Sequence, residues 1–214
     1  MGNTRLFCIY KKLYSYFGKQ NWWPAQTKLE VIIGAVLTQN TAWPNVEKAI
    51  SNLKRHHSLS FKKLSNIKTS KLAGLIRPAG YFNIKSKRLK NVLGFMQKRY
   101  SGNLNRMQKV DTLELRKQLL DVNGVGLETA DSILLYAFHK PIFVVDAYTK
   151  RIFSRLKIFS PNPSYGDIQK LFMDNLRLDA KLFNEYHALI VKLGKDYCKK
   201  NKPKCKECPI RDEH

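Results

Sequence analysis

Apolar residues return every three or four positions through most of this chain. Leu29-Ile32-Ile33-Val36-Leu37, Val46-Ala49-Ile50-Leu53, Leu89-Val92-Leu93-Met96, Leu115-Leu119-Val122 and Ile133-Leu134-Ala137-Phe138 all carry this spacing. It collects the apolar side chains of each run on one face of a helix, whereas a half-buried strand needs alternation. The runs are punctuated at Pro24, Pro44, Pro78-Ala79-Gly80, Gly102, Gly124, Gly126, Pro141 and Pro161–Pro163. Proline and glycine at such places end helices rather than continue them, and most segments between them are about 10–20 residues, ordinary helix lengths. Ile142-Phe143-Val144-Val145 has the composition of a strand, but four residues cannot carry a sheet. The expectation is an all-α fold without internal repeats or low-complexity linkers. With 214 residues, the chain has one good core or two small ones sharing a boundary.

Charge narrows the partners. Lys and Arg number 39 against 16 Asp and Glu, a net charge of +23. A surplus of this size speaks of partners rather than of fold, and a nucleic-acid phosphate backbone is the obvious polyanion. A ribosome-associated protein, or simply a basic, soluble surface, is the alternative. The longest strongly apolar run, around Val31–Leu37, is far short of a membrane span. The N-terminal MGNTRLFCIYKK shows neither a secretory apolar stretch nor the Ser or Thr of a myristoylation signal, since Leu6 stands there. An intracellular location (cytoplasm or nucleoid) is expected.

The most informative stretch is VNGVGLETADSILLYAFHKPIFVVDAYTKRIF, residues 122–153. Gly124-Val125-Gly126 lies between two helical runs. Glycines let a backbone approach another surface closely, and amides at a following helix N-terminus can point at a phosphate. Val125 is expected to pack inward. An ordinary glycine-capped helix connection is the alternative. Asp146 follows four apolar residues and precedes a helical run. Its local pattern reads first as an N-cap; the functional reading is a carboxylate that stabilises a sugar cation or activates water at an N-glycosidic bond.

These residues resemble a known family. Gly124-Val125-Gly126-x-x-Thr129-Ala130 followed by Val144-Val145-Asp146 resembles the endonuclease III (HhH-GPD) superfamily of DNA glycosylases, marked by a helix-hairpin-helix, a Gly/Pro-rich loop and an Asp. Leu37-Thr38-Gln39-Asn40-Thr41 is similar to the family segment that enters the duplex near the extruded base. Gly80-Tyr81-Phe82-Asn83-x-Lys85-x-Lys87-Arg88-Leu89 and Tyr186-His187-x-Leu189-Ile190-x-x-x-Gly194-x-x-x-Cys198 extend the likeness over roughly residues 25–214. The resemblance implies two helical domains with a DNA groove between them. One is a six-helix barrel over 25–137, its hairpin near 115–133. The other joins 1–24 to 138–214, with a cluster loop at 198–214. It further implies double-stranded DNA containing damaged bases as partner, bound by a monomer. Asp146 would be the catalytic carboxylate, Gly124, Val125, Gly126, Thr129, Lys85 and Lys87 would meet the DNA backbone, and Gln39 and Asn40 would fill the hole left by a flipped base. A solvated helix face is the alternative for the lysines.

In lyase-competent members of the family a Lys stands two residues past the second hairpin glycine. Here Glu128 stands there, and a carboxylate cannot form an imine. A monofunctional, hydrolytic enzyme is therefore expected, with Glu128 positioning water or base, or simply favouring a helix N-terminus. Trp22-Trp23-Pro24 and Trp43 resemble the 3-methyladenine glycosylase branch, where electron-rich rings stack on a cationic methylated purine; packing at a core or domain boundary is their other reading. At this length no large extra C-terminal domain of the mismatch-adenine enzymes is expected. The alternatives are an oxidised-pyrimidine glycosylase with weak lyase action, or a catalytically silent, structure-specific DNA-binding protein.

Four cysteines are present, three of them near the C-terminus. Cys198, Cys205, Cys208 and His214 are separated by six, two and five residues. The family's 4Fe–4S loop has this spacing with a fourth Cys, so the resemblance implies a structural 4Fe–4S cluster with His214 in the fourth position; zinc in a Cys3His site, a cluster with a weak or absent fourth ligand, and no metal are the alternatives.

Overall fold

The computed structural model describes residues 4–159 and 162–213. Every regular element among them is helical: α1 (Thr4–Phe17), α2 (Lys28–Leu37), α3 (Trp43–Arg55), α4 (Phe61–Asn66), α5 (Thr69–Leu75), α6 (Phe82–Tyr100), α7 (Leu104–Lys109), α8 (Thr112–Leu120), α9 (Leu127–Ser132), α10 (Ala147–Arg155), α11 (Tyr165–Asn175) and α12 (Ala180–Asp196). Short 3-10 turns lie at Arg77–Ala79, Cys205–Glu207 and Arg211–Glu213. Ile142–Val145 is buried and does not form a strand.

The chain divides into two compact units, Ala25–Phe138 and Met1–Pro24 with His139–His214. In the first, α2 packs on the turn Ile133–Ala137, and α6 packs against α2, α4, α5 and α7. Val46, Ala49, Ile50 and Leu53 of α3 are buried, as are Leu89, Val92, Leu93 and Met96 of α6. That is the three-and-four spacing made into a core. Side-chain caps start several helices. Thr27 accepts from the Glu30 amide on α2, and Asp111 Oδ1 accepts from the Leu113 and Glu114 amides at 2.8 and 3.1 Å on α8. The run after α9 departs from a regular helix: Ile133–Ala137 widens into a fully buried π turn.

The second unit packs α1 and α10 against α12. Its core is aromatic. Phe143 stacks on Phe172 with centroids 4.0 Å apart, and Phe153, Phe183 and Tyr186 meet them edge-on. The apolar strip before Asp146 thus joins this cluster through Phe143, whose carbonyl accepts from Gln169 Nε2 at 2.6 Å. Among the described residues no helix is long and apolar enough to cross a membrane.

Candidate functional site

The hairpin between α8 and α9 is held from inside. Arg116 of α8 grips Asp131 of α9 with two bonds, Nε to Oδ1 at 2.6 Å and Nη2 to Oδ2 at 3.0 Å. Asp131 is wholly buried. Val125 is 7% exposed, and its amide donates to Val122 O. Gln39, after α2, reaches across: its Nε2 donates to Gly124 O at 3.0 Å and to Thr129 Oγ1 at 2.9 Å, and Arg88 Nη1 donates to its Oε1. Gly124 has φ +94, and a Cβ there would overlap Arg88 Cγ. Gly126 opens α9 in extended geometry without a side-chain cap.

Several expectations change here. Gln39 does not stand ready to enter a duplex; its amide is spent on the hairpin. Thr129 is buried, with its hydroxyl turned to Gln39 rather than to a phosphate. Val125 has its side chain inside and its amide taken. Gly124 is required by the stem of Arg88 and by its own left-handed backbone. Asn40 is exposed at φ +52.

Lys85 is the largest correction. It is 1% exposed, and its ammonium donates to Leu37 O at 2.7 Å, Ala79 O at 2.8 Å and Thr41 Oγ1 at 2.6 Å. It knits the end of α2 to the turn that starts α6 and does not face a phosphate backbone. Burial, aided by the Arg88 charge, pulls its pKa down to about 8. Lys87 next to it is exposed. The turn that Lys85 braces presents a residue the sequence reading missed: Tyr81, 69% exposed at φ +45. Its carbonyl accepts from the amides of Ile84 and Lys85 at 3.0 and 2.9 Å, so the ring is displayed from a rigid turn.

In the other unit Asp146 is the N-cap of α10. Its Oδ1 accepts from Thr149 N at 2.7 Å and Thr149 Oγ1 at 2.9 Å. Its Oδ2 lies 3.6 Å from His187 Nε2 of α12. The capping expected on sequence grounds is thus carried by Oδ1 alone.

Residues 33–178 match the family described as HhH-GPD superfamily base excision DNA repair protein. The chain belongs to the HhH-GPD superfamily. At that level it is a DNA repair glycosylase. A Methanocaldococcus jannaschii protein provisionally named a DNA repair glycosylase is 53% identical over 209 residues, 97% of this chain and 94% of that one. The H. pylori 3-methyladenine DNA glycosylase MagIII, solved bound to 1,N6-ethenoadenine, superposes with a TM-score of 0.75 at 33% identity over 89% of this chain and 97% of its own. A non-covalent endonuclease III–DNA complex superposes at 0.84 over 99% of this chain and 94% of that one, with 20% identity, and shows the shared fold.

Other expected site residues of this HhH-GPD chain are placed as follows. Trp22 and Trp23 are half-buried, their rings tilted with centroids 5.2 Å apart, and Pro24 is exposed. Lys195 of α12 stands 5.9 Å from the Trp22 ring centroid. Trp43, half-buried, is the first residue of α3. Glu128 lies exposed in the first turn of α9.

Three of the four residues of the expected cluster, Cys198, Cys205 and Cys208, are among the described residues. Cys198 is half-buried and accepts from Arg155 Nη1 at 3.2 Å, Cys205 is exposed and Cys208 is buried. Burial raises the Cys208 thiol pKa, with Cys198 and Cys205 near enough to add to the rise. The three share a neighbourhood, yet among the described residues no three His, Cys, Asp or Glu side chains form a group able to hold a metal ion. His214 lies outside the described residues. Protein contacts hold this tail: Arg151 Nε donates to Cys198 O at 2.8 Å, Arg155 to the Lys199 and Lys200 carbonyls, and Lys12 of α1 pairs with Asp212 at 2.6 Å.

Proposed function

We propose that this glycosylase is monofunctional, flipping alkylated purines such as 3-methyladenine out of duplex DNA and releasing them by hydrolysis. The observation that carries the reading is the asymmetric Asp146: Thr149 anchors Oδ1, and Oδ2 remains for the sugar. As the glycosidic bond breaks, positive charge grows on the deoxyribose. A fixed carboxylate stabilises that charge and accepts a proton from the attacking water. A methylated purine leaves as a neutral base, so little acid catalysis is needed at the leaving group.

Selection would rest on stacking. Trp22 and Trp23 in one unit, and Trp43 in the other, are each candidate stacking rings, and an electron-rich ring attracts a cationic purine by roughly 0.5–2 kcal/mol. The 33% identity to the H. pylori 3-methyladenine enzyme supports this branch. Tyr81 is the candidate plug for the vacated stack, because a rigidly displayed exposed ring stacks on any base. Glu128 offers no amine for a Schiff base. The hairpin backbone, with Lys87 and the basic tail residues Lys199, Lys200, Lys202, Lys204 and Lys206, supplies candidate phosphate contacts.

The test is chromatography of bases released from methylated duplex DNA. The expected result is 3-methyladenine or 7-methylguanine from the native protein and none from Asp146→Asn, which still binds duplex. Release of oxidised pyrimidines instead, with a borohydride-trapped adduct, would overturn it.

A further inference from the structure

We infer that His187 is a positioning residue for the reaction, holding the Oδ2 oxygen of Asp146 in its productive direction from the neighbouring helix. This rests on the reading of Asp146 as the catalytic carboxylate.

The geometry is specific. A carboxylate fixed at one oxygen still swings about its Cβ–Cγ bond unless something faces the other. Thr149 fixes Oδ1 from within α10, and His187 Nε2 faces Oδ2 at 3.6 Å from α12. The distance is too long for a good hydrogen bond but close for an imidazole dipole acting on a charge in a poorly solvated place. Both side chains are largely enclosed, 8% exposed for His187 and 12% for Asp146.

The spacing of the two helices is itself locked. Gly194, two turns beyond His187, lies where a Cβ would overlap the Tyr148 ring of α10. Arg151, stacked 4.9 Å from that ring centroid, donates to Gly194 O at 3.2 Å and to Cys198 O at 2.8 Å. An imidazole on α12 is therefore delivered to one place relative to the carboxylate on α10.

The charge state suits the role. Burial lowers the His187 pKa from its ordinary value, against the opposing pull of Asp146. A neutral imidazole orients the carboxylate without cancelling its charge. An imidazolium would tie that charge into an ion pair and leave less of it for the sugar cation.

The experiment compares single-turnover base release from methylated duplex with affinity for a duplex carrying a stable abasic-site analogue. The proteins are the native chain, His187→Phe, His187→Gln, Asp146→Asn and the double variant His187→Phe/Asp146→Asn. Expected for His187→Phe is a rate loss between about 10- and 100-fold, with affinity unchanged within about twofold. His187→Gln, whose amide N–H reaches toward the same oxygen, should recover most of the rate. In the Asp146→Asn background the Phe substitution should add no further loss. A His187→Phe enzyme at the native rate, beside an inactive Asp146→Asn, overturns the positioning role alone. Equal losses in Phe and Gln that follow their melting temperatures overturn it in favour of packing. Full activity in Asp146→Asn overturns the reading of Asp146 and this inference with it.

Discussion

The stem of Arg88 lies in the space that a side chain on Gly124 would need, and the same Arg88 holds Gln39 against the Gly124 carbonyl. The first hairpin glycine is thus an intramolecular requirement before it is a DNA contact. Gly124→Ala meets both an unfavourable φ of +94 and an overlap with Arg88 Cγ. A loss of about 1–3 kcal/mol is expected, which lowers the melting temperature by roughly 2–12 °C in a chain of this size. Gly126→Ala, with nothing within 4 Å and no positive φ, should melt near the native temperature. Differential scanning calorimetry of the two variants checks the contrast.

The Arg116–Asp131 clamp makes a second stability prediction. Asp131 is wholly buried and takes two bonds from one guanidinium. Arg116→Met takes this guanidinium from the buried carboxylate, at a cost of about 3–5 kcal/mol. Adding Asp131→Asn removes the buried charge and should restore much of the loss. Urea unfolding of the single and double variants measures both numbers.

Lys85 predicts a pH dependence. Its folded pKa, about 8, lies below the ordinary lysine value near 10.4. Between these values the unfolded chain binds more protons than the folded one, so stability contributed at this site rises with pH. Below pH 8 the penalty is fully present and constant; above about pH 10.4 it is gone. The difference in melting temperature between native protein and Lys85→Met should therefore shift in favour of the native protein from pH 8 to pH 10, other lysines and tyrosines cancelling. A difference that stays flat over this range refutes the depressed pKa.

Much of the architecture was readable because helix spacing is a local property. Leu29–Leu37 and Leu89–Met96 could be assigned from their own residues. Asp146 was readable as a candidate because an acid after four apolar residues is placed by the strip before it. The tertiary roles were not. Lysine on a helix reads as solvated, yet Lys85 is enclosed by carbonyls from Leu37 and Ala79, 48 and six residues away. Tyrosine in an apolar segment reads as core, yet the left-handed turn after Gly80 turns Tyr81 outward. Gln39 reads as a reaching side chain, and only the fold shows that Gly124 and Thr129 have taken its amide. His187 sits in an apolar helix where nothing in its neighbours hints at a partner on α10. The cysteine spacing is a pattern in the chain, whereas a metal site is an arrangement in space.

Tyr81 carries a prediction about base flipping. If its ring fills the vacated stack, Tyr81→Ala should lower single-turnover release by about ten- to a hundredfold, since stacking is worth roughly 1–3 kcal/mol per base. Tyr81→Phe keeps the ring and should keep most of the rate. Because the side chain is 69% exposed, neither variant should shift the melting temperature by more than a degree or two. A substrate with an abasic site opposite the lesion offers a stack already broken, and there the Ala defect should shrink.

Glu128 bears on the choice between water and amine. It stands in the first turn of α9 beside the hairpin, where an acid is favoured by the helix dipole at about 0.3–1 kcal/mol. Glu128→Lys exchanges that for an unfavourable cation, so a fall of a few degrees in melting temperature is expected. In return it places a primary amine at the position from which lyase-competent relatives attack the sugar. Incubation with abasic duplex and borohydride, followed by denaturing electrophoresis, should give no cross-linked band with the native protein and a band with Glu128→Lys. The band must vanish when the DNA carries a reduced abasic site, because imine formation needs the aldehyde. A native protein that traps as efficiently as the variant would mean another lysine reaches C1′, and the hydrolytic assignment would be withdrawn.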